Sequence, residues 1–252
     1  MTAACSQPAI TPNSIVSNNP CIDSILSRIA APGQIAAVSH YSHDAVAASA
    51  PLAWARAHPA LGISAEEIIA ARPRLVLTGN LSSSGTNAAL AKAGIKVIAV
   101  GVPASVAESD AQIRTIARAI DRVDAGEALI ASIKASLPTA PRPATSALIW
   151  QTGGYVAGTG TLQDELLVRA GYRNAAASYG LQQWDELPLE TLLRNPPDVI
   201  FMPLPKQDDG GRALQIRANV LRHLKTTRVV DFPDKLLFCG GPTIAKVMER
   251  LK

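Results

Sequence analysis

Cysteine is scarce in this chain: its 252 residues carry only three, Cys5, Cys21 and Cys239. Thiols so few and so far apart exclude a disulfide framework or a zinc knuckle and allow at most one bridge, Cys21 to Cys239. Aromatics are few as well, with 3 Trp, 4 Tyr and 3 Phe, so a loop that collects one stands out. No stretch of 18 apolar residues occurs, which leaves no candidate for a membrane-spanning helix. The 24 basic and 20 acidic residues give a net charge of +4 without a cluster of Lys and Arg. That spread argues against a nucleic-acid partner and against direct attachment to anionic lipid. A nucleophile elbow, a phosphate-binding glycine loop, a catalytic pair of carboxylates and a Cys-His nucleophile pair are all missing, so no enzymatic activity is expected.

What is present is a core. Apolar residues make up 48% of the chain and charged ones 17%, the balance of a folded globular protein. Residues 1–12 read as a flexible polar tail, in which Thr2-Ala3-Ala4-Cys5 resembles the end of a cleaved export signal or a lipid-acceptor site. From Pro103 to Pro138, apolar residues fall at Val106, Ile113, Ile116, Ile120, Val123, Ile130, Ile133 and Leu137, spacings of three, four and seven that predict a helix. Ser105 followed by Glu108 is a capping box for its start. Unbroken, roughly 33 residues would make a rod of about 50 Å. A kinked pair of helices, with Gly126 as the weak point, is the alternative.

On either side of this segment the sequence repeats. Residues 63–77 match residues 187–201 as a short helix bearing a Glu (Glu66, Glu190), a closing Pro (Pro73, Pro197) and a short apolar run. Strands are expected at 14–17, 34–38, 75–77 and 96–100, and again at 147–150, 199–202 and 228–232, with helices between them. Strands alternating with helices predict an α/β fold, two Rossmann-like lobes with mainly parallel sheets. The expected organisation is a lobe over 13–103, a connecting backbone helix over 104–138 and a second lobe over 139–252. In such sheets ligands bind outside the carboxyl ends of the strands. The loops there offer Asn18, Tyr41, Ser42, Asn80, Tyr155, Trp184, Leu204 and Phe238. Aromatic rings beside amides and hydroxyls suit a large ligand that is part apolar and part polar.

Three stretches of the first half carry a resemblance: Asn-Pro-Cys-Ile-Asp at 19–23, Ala-Val-Ser-His-Tyr-Ser-His-Asp at 37–44, and 63–77. With Gly160 to Leu167, Ala170 to Asn174 and Phe238 to Pro242 of the second half, they resemble the periplasmic substrate-binding proteins of ABC importers. More narrowly, the chain is similar to the branch that carries vitamin B12 and ferric siderophores.

The resemblance implies two α/β lobes joined by one long helix, and capture of a corrinoid, an iron siderophore or a heme-like chelate between them. It further implies a periplasmic monomer that delivers its ligand to a permease dimer and touches the membrane only through that transporter or a lipid on Cys5. No cofactor of its own is expected, cobalt or iron arriving inside the ligand. In the B12 binders an aromatic six residues before the second-lobe Glu packs against the corrinoid, a place held here by Trp184. The Glu that pairs with a permease Arg corresponds to Glu190, and its first-lobe counterpart falls on Ser84. A metal-ion or heme binder using His40 and His43 is the alternative, since His58 and His223 fall on other elements.

Overall fold

The short apolar runs of each half are buried on both faces, as strands inside a parallel sheet must be. All of Ile15-Val16-Ser17 and of Val199 to Met202 is buried. The computed structural model describes residues 14–62, 64–79, 84–138, 145–151, 153–204 and 212–252, at Ser84 and 212–217 by backbone alone. Two compact units emerge, one of Met1–Val102 with Gln112–Leu129 and one of Pro103–Ala111 with Ile130–Lys252.

In the first unit the order is β1 (Ile15–Ser17), α1 (Pro20–Ile29), β2 (Ile35–Ser39), α2 (Leu52–Arg56), β3 (Ala60–Leu61), α3 (Ala65–Ala70), β4 (Leu75–Gly79), α4 (Ser84–Lys92) and β5 (Lys96–Val100). The strands form one parallel sheet in the order β3-β2-β1-β4-β5. Local chemistry sets the helix starts. Asn19 Oδ1 accepts from the N–H groups of Cys21 and Ile22 to cap α1, and Ser64 accepts from Glu67 N–H to cap α3, satisfying donors that a first turn leaves unpaired. Val16, Ala37, Ile68, Val76 and Leu90 pack into one core, where truncating Ile68 to Ala costs about 2–5 kcal/mol.

The segment expected as one rod is two helices, α5 (Val106–Ala119) and α6 (Val123–Ser136). Asp121 between them has φ +56°, a left-handed conformation that ends a helix and that Asp tolerates. The chain then doubles back. Arg114 pairs with Glu127 at 2.7 Å, and a Cβ at Gly126 would meet Ala117 Cβ at 2.6 Å. Gly126 is thus a close-approach point between two helices. Each helix has 14 residues and spans about 21 Å. The apolar period did not report the break because both helices face a core.

The second unit continues with β6 (Thr145–Ile149), β7 (Tyr155–Ala157), α7 (Leu162–Arg169), β8 (Tyr172–Asn174), α8 (Ala175–Ser178), β9 (Trp184–Glu186), α9 (Leu189–Arg194), β10 (Val199–Met202), α10 (Arg212–His223), β11 (Arg228–Asp231) and α11 (Thr243–Arg250). Its parallel sheet runs β11-β10-β6-β8, and β7 pairs with β9 in a small antiparallel sheet.

The two parallel sheets are wired alike. In each, the first strand is central, the next lies on one side, and the last two lie on the other. The repeat seen in the sequence is real in space, since α3 and α9 differ by 124 positions at both ends and β4 and β10 start with the same offset. Chain order reverses between β1 and β4 in one sheet and between β6 and β10 in the other. Beyond the carboxyl ends of such strands lies the usual ligand position.

Candidate functional site

At the carboxyl edge of the first sheet, Asn18 follows β1, buried, with its N–H on Leu77 O at 3.2 Å. Beside it a Cβ at Gly79 would stand 2.7 Å from Asn19 Nδ2, so a side chain there would displace the Asn19 amide that caps α1. Asn80 lies outside the described residues. After β2 the chain makes a 3-10 turn, His40–His43. Tyr41 is 48% exposed and its ring stacks on His40, centroids 4.0 Å apart.

Ser42, expected to touch ligand, is instead fully buried, and its hydroxyl donates to Asp23 Oδ2 at 2.6 Å. Asp23 also accepts the Ser39 N–H at 3.0 Å. Burial pushes the Asp23 carboxyl up to about 7, opposed by Ser17, Ser42 and Ser39, which favour its charged form. His43 Nε2 donates to the carbonyls of Ala55 and His58, at 3.0 and 3.1 Å. That ring nitrogen is committed to backbone. Among the described residues no group of three His, Cys, Asp or Glu could hold a metal.

The second unit offers a different surface. Beyond β6, Trp150 bridges to Val156 of β7, and its indole N–H donates to Gly154 O at 3.2 Å, so the small β7–β9 sheet lies at the carboxyl end of β6. In its register Tyr155 faces Glu186 and Ala157 faces Trp184. Trp184, half-buried, meets Phe238 at 6.1 Å between ring centroids, tilted by 35°. Phe238 is 48% and Tyr155 39% exposed.

Backbone clamps hold this surface. Gly158 N–H donates to Gln183 O at 2.6 Å, and Gln183 N–H returns to Thr159 O at 2.9 Å. A Cβ at Gly158 would lie 2.7 Å from the backbone of Gln182 and Gln183, a contact no side chain could relieve. The buried Gln163 donates from Nε2 to Leu237 O, next to Phe238, and Gly241 N–H donates to Ser109 Oγ at 2.7 Å. Leu204, 50% exposed, stands apart after β10 with its N–H on Asp231 Oδ1 at 3.3 Å.

Glu190 is exposed at the second position of α9, and Glu66 is exposed at the second position of α3. Ser84, expected as the first-unit counterpart, opens α4, the helix between β4 and β5, and the helix so placed in the second unit is α10. Topology therefore matches Glu190 to Glu66. The repeat held this signal, because both Glu residues stand in its matching segments. Asp23 and Gln163 carried no such sign, since only tertiary contacts give them their roles. Cys21, second residue of α1, and the buried Cys239 are each disulfide-bonded, so neither thiol is available to a ligand.

The sequence profile of the periplasmic binding protein family matches residues 15–232. Among solved structures, the periplasmic heme-binding protein RhuT of Roseiflexus sp. RS-1 is 24% identical, with a TM-score of 0.73 over 94% of this chain and 95% of that one. A possible iron-binding periplasmic solute-binding protein of Staphylococcus epidermidis is 19% identical, TM-score 0.73, over 95% and 96%. The periplasmic heme-binding protein HutB of Vibrio cholerae is 18% identical, TM-score 0.73, over 96% and 98%. At these identities the likeness shows a shared fold. No curated protein sequence matches the chain. The profile match spans most of the chain and agrees with the two parallel-sheet units, and the chain belongs to the periplasmic binding protein family.

Proposed function

We propose that this protein is the substrate-binding component of an ABC importer and captures a large, partly apolar ligand built on a flat metal-bearing ring, a corrinoid or a heme-like chelate. The observation that carries the reading is the Trp184–Phe238 pair with exposed Tyr155 on the strand paired with that of Trp184. Two tilted rings held by backbone clamps form a rigid apolar surface, and a flat macrocycle gains most from such a surface because little side-chain freedom is lost on contact. The polar edge of the first unit, with Asn18 and the Tyr41 turn, suits the amide or carboxylate periphery of such a ligand. Its metal arrives within the ligand, and the protein supplies shape and polar contacts.

Delivery follows from the second matched feature. Glu66 and Glu190 sit at equivalent helix starts in the two units, and neither is paired among the described residues. We assign them as the two contacts to Arg residues of a permease dimer, charge-assisted bonds that lose little water while exposed. The protein works as a monomer in this scheme, tethered through a lipid on Cys5. Palmitate labelling that vanishes in Cys5→Ser supports the tether, and its absence in the parent removes it.

Absorption and tryptophan-quenching titrations with cyanocobalamin, hemin and a ferric siderophore test the ligand class. Saturable binding of one of them that weakens in Trp184→Ala supports the reading. Equal binding by Trp184→Ala, or no binding of any, overturns it. Heme is the second reading, favoured because RhuT and HutB are named for heme. Hemin binding without cyanocobalamin binding would select it.

A further inference from the structure

We infer that Asp23 is a positioning residue for the Tyr41 turn, and that protonation of its buried carboxylate loosens the turn and weakens ligand capture. The inference rests on the ligand reading above for its effect on capture but not for its effect on the turn. Asp23 is fully buried in α1. Polar hydrogens reach it from separate elements: the Ser39 N–H at the end of β2 and the Ser42 hydroxyl inside the turn meet Oδ2 at 3.0 and 2.6 Å, and Ser17 of β1 favours the same charged form. Apart from Asp23, the turn is held by Asp44 N–H on Tyr41 O at 3.2 Å, by Arg56 Nη2 on His43 O at 3.3 Å and by the His43 ring on Ala55 and His58 carbonyls. The carboxylate is the side-chain anchor beneath Ser42, the neighbour of Tyr41.

Among the described residues no cation pairs with this charge. From the strands, Ser39 of β2 and Ser17 of β1 reach it. In the turn, the His40 ring stacks on Tyr41 and the His43 ring faces backbone carbonyls, while Arg56 of α2 is turned to His43 O. Asp23 Oδ1 and Ser39 Oγ have no hydrogen-bond partner among the described residues. An anion so desolvated and incompletely bonded takes up a proton far more readily than a surface carboxylate, and burial indeed pushes Asp23 up to about 7. A proton on the free Oδ1 removes the negative charge, so the bonds that Ser39 N–H and the Ser42 hydroxyl make to Oδ2 are no longer charge-assisted and both weaken.

The consequence is two opposite pH trends. Because the folded-state value lies above the ordinary carboxylate value of 3.8, Asp23 contributes most to global stability at low pH and loses that contribution as pH rises through about 7. Ligand capture runs the other way, since the turn is pinned by the ionised form. A residue that only supported the fold would move both together.

In the ligand-free protein, the amide 1H–15N signals of Ser39 and Ser42 should titrate together with a midpoint near 7, and Asp23→Asn should abolish that titration. Flat signals in the parent, or the same titration in Asp23→Asn, overturn the inference. Affinity for cyanocobalamin or hemin should fall about fivefold from pH 8 to pH 6, the worth of one hydrogen bond, and Asp23→Asn should lose this dependence. Ser42→Ala keeps the test alive if Asp23→Asn does not fold: losing a bond to the carboxylate should move the midpoint upward, and an unmoved midpoint contradicts the inference. If neither probe binds at any pH, the ligand reading fails while the amide titration still decides the role of Asp23.

Discussion

The two units carry the same wiring and opposite chemistry at their ligand edges. The first presents an amide, a tyrosine and a buried acid under a serine-rich turn. The second presents Trp184 and Tyr155 on a small antiparallel sheet, with Phe238 against Trp184, and the described residues of the first form no such sheet. What they share is the α3–β4 and α9–β10 pair, down to an exposed Glu at the second helix position. Binding chemistry is thus written in loops and added strands, where sequence is free to diverge. The repeated scaffold keeps that Glu in both halves.

Changing both shared carboxylates should give the largest effect. Glu66→Ala with Glu190→Ala should reduce ligand-stimulated ATPase of the reconstituted importer by at least about tenfold, through the loss of two charge-assisted contacts of roughly 1.5–3 kcal/mol each. Ligand affinity measured by titration should stay unchanged, and a parallel fall in affinity would break the division between edge and scaffold. Next in size, Trp184→Ala should weaken binding about tenfold or more, as loss of a buried-ring anchor does, against about threefold for Tyr41→Ala, whose half-exposed ring buries less. Equal losses would show that both edges contribute alike.

Stability sharpens the same comparison. Gly158→Ala forces a Cβ against the backbone of Gln182 and Gln183, and should lower thermal stability by about 1–3 kcal/mol, whereas Gly33→Ala, with open space around its Cβ but φ +78°, should cost about 1 kcal/mol. Calorimetry of both variants decides whether the aromatic edge is the more tightly clamped. The smallest effect is in acid. Ser146, by hydroxyl and then by N–H, holds the exposed Asp198 carboxyl below the usual range. Its stabilising contribution is present above the ordinary value of 3.8 and is lost as pH falls through the lower folded-state value. Asp198→Asn should flatten that acid limb slightly in a thermal-melt series.

Much of the scaffold was readable because it rests on local, repeated patterns. The strands at 96–100 and 199–202 fall where the apolar runs placed them, and the helix–Pro–strand repeat fixed both the α/β class and the equivalence of the halves. The strands β7, β8 and β9 were not readable, because each has 3 residues and no alternation long enough to register. The split of α5 from α6 was hidden for the opposite reason, since a hairpin of two amphipathic helices keeps one continuous apolar period. Ser42 looked like a ligand contact from its loop, and only the fold revealed Asp23 beneath it.

By itself, then, the sequence determined the class of fold, the duplicated wiring and the aromatic residues that make the second edge, all of which follow from hydrophobic periodicity and composition. Only the tertiary structure decided that Trp184 meets Phe238 across 54 positions of sequence and that Asp23 lies beneath Ser42. Those facts depend on which distant residues are brought within bonding distance, and no local pattern records that.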